Sequence, residues 1–170
     1  VMEQIQAEFL DYNNMGVSII EISHRSPEFT ELLNETDALF KELVELPDNY
    51  EILYVHGGAQ MQFSAVALNL IGLKPEKKAI YYDSGDFAKL SAKEAGKYGE
   101  VIIGNSSAET KYDHIPEFKT EQLDEKYSYA YLTSNNTIYG TRWNHFPDTG
   151  AIPLAIDATS DILSRKMDYT

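Results

Sequence analysis

The sequence contains no cysteine. That excludes disulfides, thiolate metal sites and cysteine nucleophiles, and it fits a chain kept in the cytoplasm. Cations are scarce: 14 Lys and Arg stand against 27 Asp and Glu, for a formal net charge of -13 and a sequence pI near 4.6. Such a surface repels nucleic acid and anionic membrane, so neither is expected as a partner. No apolar run approaches the roughly 20 residues that a transmembrane helix needs, and no secretory signal is visible at the N-terminus. The histidines, His24, His56, His114 and His145, show no ligand spacing, so no metal is expected. Internal repeats, low-complexity tracts and linkers are also missing.

What the chain does have is apolar surface. Hydrophobic residues make up 43%, with 12 Tyr and 7 Phe, enough for a sizeable core. Met2, Ile5, Phe9 and Tyr12 fall at helical spacing and predict an amphipathic helix over 2–12. The β-branched run from Gly16 to Ile22 predicts an extended segment. Ser26-Pro27-Glu28 is a helix start, with a capping hydroxyl, a proline whose missing N–H costs nothing there, and an acid in the first turn. That helix runs on to Pro47.

Beyond it, strands and helices alternate. Strands are predicted at 52–55, 79–82, 101–103, 127–132 and 152–156, with helices at 60–71 and 87–98. The polar stretch 105–126, which contains Pro116, is a longer connection. Continuous apolar strands alternating with helices imply an α/β fold with a mainly parallel sheet and helices on both faces.

Ligands of such sheets bind beyond the carboxyl ends of the strands. After the first of these strands, Gly57-Gly58-Ala59-Gln60 opens a helix whose free N–H groups suit an anion, or it is simply a turn. After the second, Phe87 either stacks on a flat ligand or fills the core. After the fourth, Thr133 to Thr137 is a cluster of small hydrogen-bonding side chains, or an ordinary polar loop. After the fifth, Asp157 either caps a helix or faces a cationic partner such as a pyridinium nitrogen. His24-Arg25 offers two cations for a carboxylate or phosphate, unless Arg25 pairs with Glu21 or Glu28.

Four longer motifs occur in order: Gly16 to Ser26, His56 to Phe63, Thr133 to Gly140, and Pro153 to Arg165. Together they resemble the class V aminotransferases of fold type I, which depend on pyridoxal 5'-phosphate. The resemblance implies that Ala59 and Gln60 hold the cofactor phosphate. It implies that Phe87 stacks on the ring, where the family usually has tryptophan, that Thr137 bonds near the ring hydroxyl and that Asp157 pairs with the ring nitrogen. Arg25 would bind the substrate carboxylate, and His24 would lie near a substrate phosphate. Gln60 stands where some relatives carry arginine.

The same resemblance makes residues 1–170 part of a large cofactor-binding domain. A small C-terminal domain and the Schiff-base lysine would lie past Thr170, so the chain would hold no catalytic residue and be inactive alone; Lys166 is not that lysine. The implied reaction passes an amino group from L-glutamate to 3-phosphohydroxypyruvate, in a homodimer, for serine biosynthesis. Another class V aminotransferase, a desulfurase, or a non-catalytic module for binding or dimerisation are the alternatives.

Overall fold

The computed structural model describes residues 1–169, which separate into two compact units, 1–52 and 53–169. In the first unit α1 spans Met2–Glu8 and α2 spans Pro27–Leu43. The start of α2 is as expected: the Ser26 hydroxyl accepts the Phe29 N–H at 3.2 Å, and Pro27 occupies the first helical position. The helix stops short of Pro47 because Val44 leaves helical geometry and Glu45 turns left-handed, with φ 54°.

The run from Gly16 to Ile22 does not form the expected extended segment. Local bonds take its backbone instead. The Asp11 carboxylate accepts the Gly16 N–H at 2.7 Å, and the Glu21 carboxylate accepts the Ser18 N–H at 2.9 Å. Side chains that satisfy nearby N–H groups compete with a strand ladder, and here they fold the segment into turns.

The second unit holds α3 (Gly58–Leu70), β1 (Lys78–Asp83), α4 (Asp86–Ala95), β2 (Glu100–Ser106) and β3 (Tyr127–Thr133). A small antiparallel pair follows, β4 (Asn135–Asn136) with β5 (Thr141–Arg142), and then β6 (Leu154–Asp157). The main sheet has the order β2-β1-β3-β6 and is parallel throughout.

Side chains alternate across this sheet with the two-residue period of a strand. Ala79, Tyr81, Tyr129 and Tyr131 face Phe63 and Ala67 of α3 and Ala92 and Ala95 of α4. Ala67, Ala79 and Ala95 are fully buried, so the helices pack closely on the strands. Ile80, Tyr82, Ala130 and Leu132 form the other core with Trp143 and Ile152. Each large side chain so buried contributes about 1.5–3 kcal/mol.

The parallel α/β architecture is as the sequence implies, with a difference in its layers. Within this unit both helices cover one face, and irregular segments carrying Phe118, Trp143, Phe146 and Ile152 cover the other. Residues 52–55 form no strand, contrary to expectation. Leu53, Tyr54 and Val55 are exposed at 79%, 60% and 64%, and none joins a described strand. An apolar run becomes a strand only where an edge accepts its backbone, and no edge of this sheet does so.

Candidate functional site

Because β1, β2, β3 and β6 are parallel, their carboxyl ends share one edge of the sheet. There Asp83 lies opposite Ser106, and Thr133 lies opposite Asp157. The segments leaving that edge carry Phe87 after β1, Thr137 after β3, and Asp157 itself at the end of β6.

A cleft of about 340 Å³ opens beside Asp157. Its walls include Gly58, Ala59 and Gln62 of α3, Tyr131 of β3, and Thr159. The structure therefore brings the glycine-led helix start and the strand-end carboxylate into one site.

Gly57 caps α3 in the left-handed region, with φ 91°, and a Cβ at this position would collide with the Met61 side chain. The first helical bond runs from the Met61 N–H to the Gly57 carbonyl at 3.4 Å. The N–H groups of Gly58, Ala59 and Gln60 precede it and have no partner within the helix. They supply the positive end of a 13-residue helix. The Gln62 side chain fixes the approach to this turn by donating to the His56 carbonyl at 3.0 Å.

Asp157 caps no helix among the described residues; it orders a turn instead. Its Oδ1 accepts the Thr159 N–H at 3.1 Å and the Thr159 hydroxyl at 2.6 Å, ordering the turn after β6. The half-buried carboxylate also lines the cleft, and among the described residues it forms no ion pair. Its charge reaches Tyr131: burial first, then the Asp157 charge, pushes that phenol above its ordinary value.

The other expected residues distribute as follows. Ala59 is in the cleft wall and Gln60 is exposed beside it. Phe87 is the second residue of α4 and 43% exposed, so it is not a core residue, and it is not part of the cleft wall. Thr137 is exposed in the tight turn closed by the Gly140 N–H on the Asn136 carbonyl at 2.8 Å. His24 and Arg25 belong to the first unit, exposed on the turn before α2. Arg25 forms no ion pair with Glu21 or Glu28; among the described residues it forms none at all.

Sequence reasoning missed several residues that build this edge. Gln62 lies one helical turn beyond Gly58, and Thr159 two residues beyond Asp157 in a common turn spacing, so both left a signal. Asn136 lay within the Thr133 to Thr137 cluster and Asp161 and Arg165 within the last motif, but the bonds of Asn136 to Ser84, Asp161 to Ser134 and Arg165 to Trp143 left no signal, because those partners are remote in sequence. The Asp161 carboxylate is buried and takes the Ser134 hydroxyl and Arg165, the latter at 3.1 Å. Arg165 also donates to the Trp143 carbonyl at 2.6 Å, which holds the segment after β6 against the β4–β5 region.

Residues 1–170 match the aminotransferase class-V family. The chain belongs to that family. As a class-V member it is similar to the phosphoserine aminotransferase of Lysinibacillus sphaericus strain C3-41, 44% identical over 168 residues, covering 99% of this chain and 46% of that protein. The phosphoserine aminotransferase of Desulfotalea psychrophila is 43% identical over 170 residues, covering all of this chain and 46% of the relative. The fold is similar to the solved phosphoserine aminotransferase of Bacillus circulans subsp. alkalophilus, with TM-score 0.90 and 39% identity over 97% of this chain and 45% of that one. A pyridoxal-phosphate-bound phosphoserine aminotransferase from Trichomonas vaginalis gives TM-score 0.85 and 33% identity over 98% of this chain and 46% of that one. The class-V chain described here thus spans about 46% of the length of these relatives.

Proposed function

We propose that this chain is the front part of the cofactor-binding domain of a phosphoserine aminotransferase, with the catalytic lysine and the small domain supplied by further sequence. The observation that carries the reading is the cleft, where a glycine-led helix start and an unpaired strand-end carboxylate face the same space. Both match what pyridoxal 5'-phosphate would need. The helix start offers three free N–H groups to a phosphate dianion, and a carboxylate with no cation beside it suits a protonated ring nitrogen.

When bound, the cofactor supplies an electron sink for the pair left when a substrate amino acid loses its α-proton. The chain's own residues prepare for that. Gly58, Ala59 and Gln60 hold the phosphate by backbone N–H groups. Asp157, oriented by Thr159, keeps the ring nitrogen protonated. Phe87 provides an aromatic face at the strand edge, and Thr137 provides a hydroxyl. Arg25 binds a substrate carboxylate through its planar fork of donors, and His24 meets the phosphate of 3-phosphohydroxypyruvate. The reading also makes the protein a cytoplasmic homodimer, which sedimentation of the full-length protein checks.

The test is amino transfer from L-glutamate by the full-length protein. Phosphohydroxypyruvate is expected to be a far better acceptor than hydroxypyruvate, and Arg25→Ala to raise KM for both substrates. Equal use of the two acceptors would favour a sibling aminotransferase. Sulfur release from cysteine would favour a desulfurase.

A further inference from the structure

Two segments at the strand edge, one carrying Phe87 and the other Thr137, are joined by a single buried side chain. Asn136 is 3% exposed. Its Nδ2 donates to the Ser84 carbonyl at 2.6 Å, at the end of β1, and approaches the Thr141 hydroxyl of β5 at 3.5 Å. Ser84 and Gly85 connect β1 to α4, and Phe87 lies two residues past Gly85. Thr137 immediately follows Asn136.

The fit between Asn136 and Gly85 is close as well. A Cβ placed on Gly85 would lie 2.5–2.7 Å from the Asn136 amide atoms, so no larger residue fits without moving them. A second tie spans the same two segments, from the Tyr139 hydroxyl to the Asp86 carboxylate at 3.5 Å. The amide is the right chemistry for the main tie. Aspartate at 136 would set a negative oxygen against the Ser84 carbonyl, and leucine would leave that carbonyl unpaired.

We propose that Asn136 is a positioning residue for the cofactor site, a bracket that holds the stacking ring of Phe87 and the hydroxyl of Thr137 in fixed relation. This rests on the cofactor reading above. Asn136 touches neither cofactor nor substrate in this role. It acts through the Ser84–Gly85 turn, and Gly85 is glycine because the bracket occupies the space where a side chain would be.

The experiment uses the full-length apoenzyme, titrated with pyridoxal phosphate and followed by cofactor absorbance, with visible circular dichroism of the bound cofactor and thermal unfolding of the apo form. Asn136→Ala is expected to weaken cofactor binding by about tenfold, the scale of one lost buried hydrogen bond, and to reduce the visible dichroism. Gly85→Ala, which presses on the same amide, is expected to do the same, and it decides the matter if the Asn136 variant fails to fold. The double variant is expected to be no weaker than Asn136→Ala alone, because both changes disable one device. Asn69→Ala removes an exposed amide that bonds only the Ala65 carbonyl one turn back in α3, and should leave cofactor affinity unchanged. A lower apo melting temperature with wild-type affinity and dichroism in both the Asn136 and Gly85 variants would overturn the bracket alone. A wild-type protein that binds no pyridoxal phosphate would overturn the cofactor reading and the bracket with it.

Discussion

The centre of the sheet offers a clean test of how this protein treats a buried polar pair. Tyr81 and Tyr129 sit on neighbouring parallel strands, at 1% and 0% exposure, with their hydroxyls 2.7 Å apart. Both hydroxyls are buried away from bulk solvent. Removing one leaves its neighbour orphaned, which costs about 1–3 kcal/mol; removing both leaves no orphan and forfeits only the net bond, about 0.5–1.5 kcal/mol. The rings themselves stay packed, since Tyr81 also stacks on Tyr131 at 4.6 Å and phenylalanine keeps that face. Tyr81→Phe and Tyr129→Phe are therefore each expected to destabilise by about 1–3 kcal/mol, and the double variant by less than the sum of the two. Urea unfolding of the full-length protein at a fixed cofactor concentration measures all four corners of the cycle. A double variant whose loss equals or exceeds the sum would show that the pair is not a mutually dependent bond, and the reasoning would fail.

Three further outcomes are expected. Burial pushes the Tyr82 phenol up to about 12, and burial with the Asp83 carboxylate pushes Tyr112 up to about 12, against an ordinary value of 10.0. Both groups hold their protons in the folded state at a pH where the unfolded chain has lost them, so their stabilisation is complete below pH about 10 and declines from there towards 12. Alkaline unfolding and a phenolate absorbance titration check this; titration of both phenols near 10 would contradict it. Gly57→Ala would force a Cβ into Met61 at a left-handed φ of 91°, so cofactor phosphate binding is expected to weaken along with about 1 kcal/mol or more of stability. Calorimetric titration with inorganic phosphate and with pyridoxal phosphate separates the two effects. Asp161→Asn removes a buried charge partner of Arg165, whose side chain is only 18% exposed, and is expected to cost about 3 kcal/mol. Asp161→Asn combined with Arg165→Met should recover part of that loss, as read by urea midpoint.

Much of the frame was legible in the residues. The Ser26-Pro27 start, the apolar strands and the helices between them follow from capping chemistry and side-chain periodicity, which are local properties. The carboxyl ends of β1, β3 and β6 fall within one residue of their expected places, and in a parallel sheet strand ends locate the site, whereas the Gly57 turn follows a segment that forms no strand. The segments 16–22 and 52–55 were misread because apolar, β-branched residues show willingness to extend, whereas a strand exists only when another edge pairs with it.

The sequence by itself determined which residues could do chemistry: a glycine turn before a helix, an aspartate after an apolar strand, an aromatic ring and a threonine after two others. Only the tertiary structure decided that Gly58, Ala59 and Asp157 line one cleft, that Asp157 is steadied by Thr159, and that Asn136 reaches across 52 positions to the Ser84 carbonyl. The physical reason is range. Capping and periodicity act over a few residues, while burial, register and the pairing of remote polar atoms exist only once the strands lie side by side.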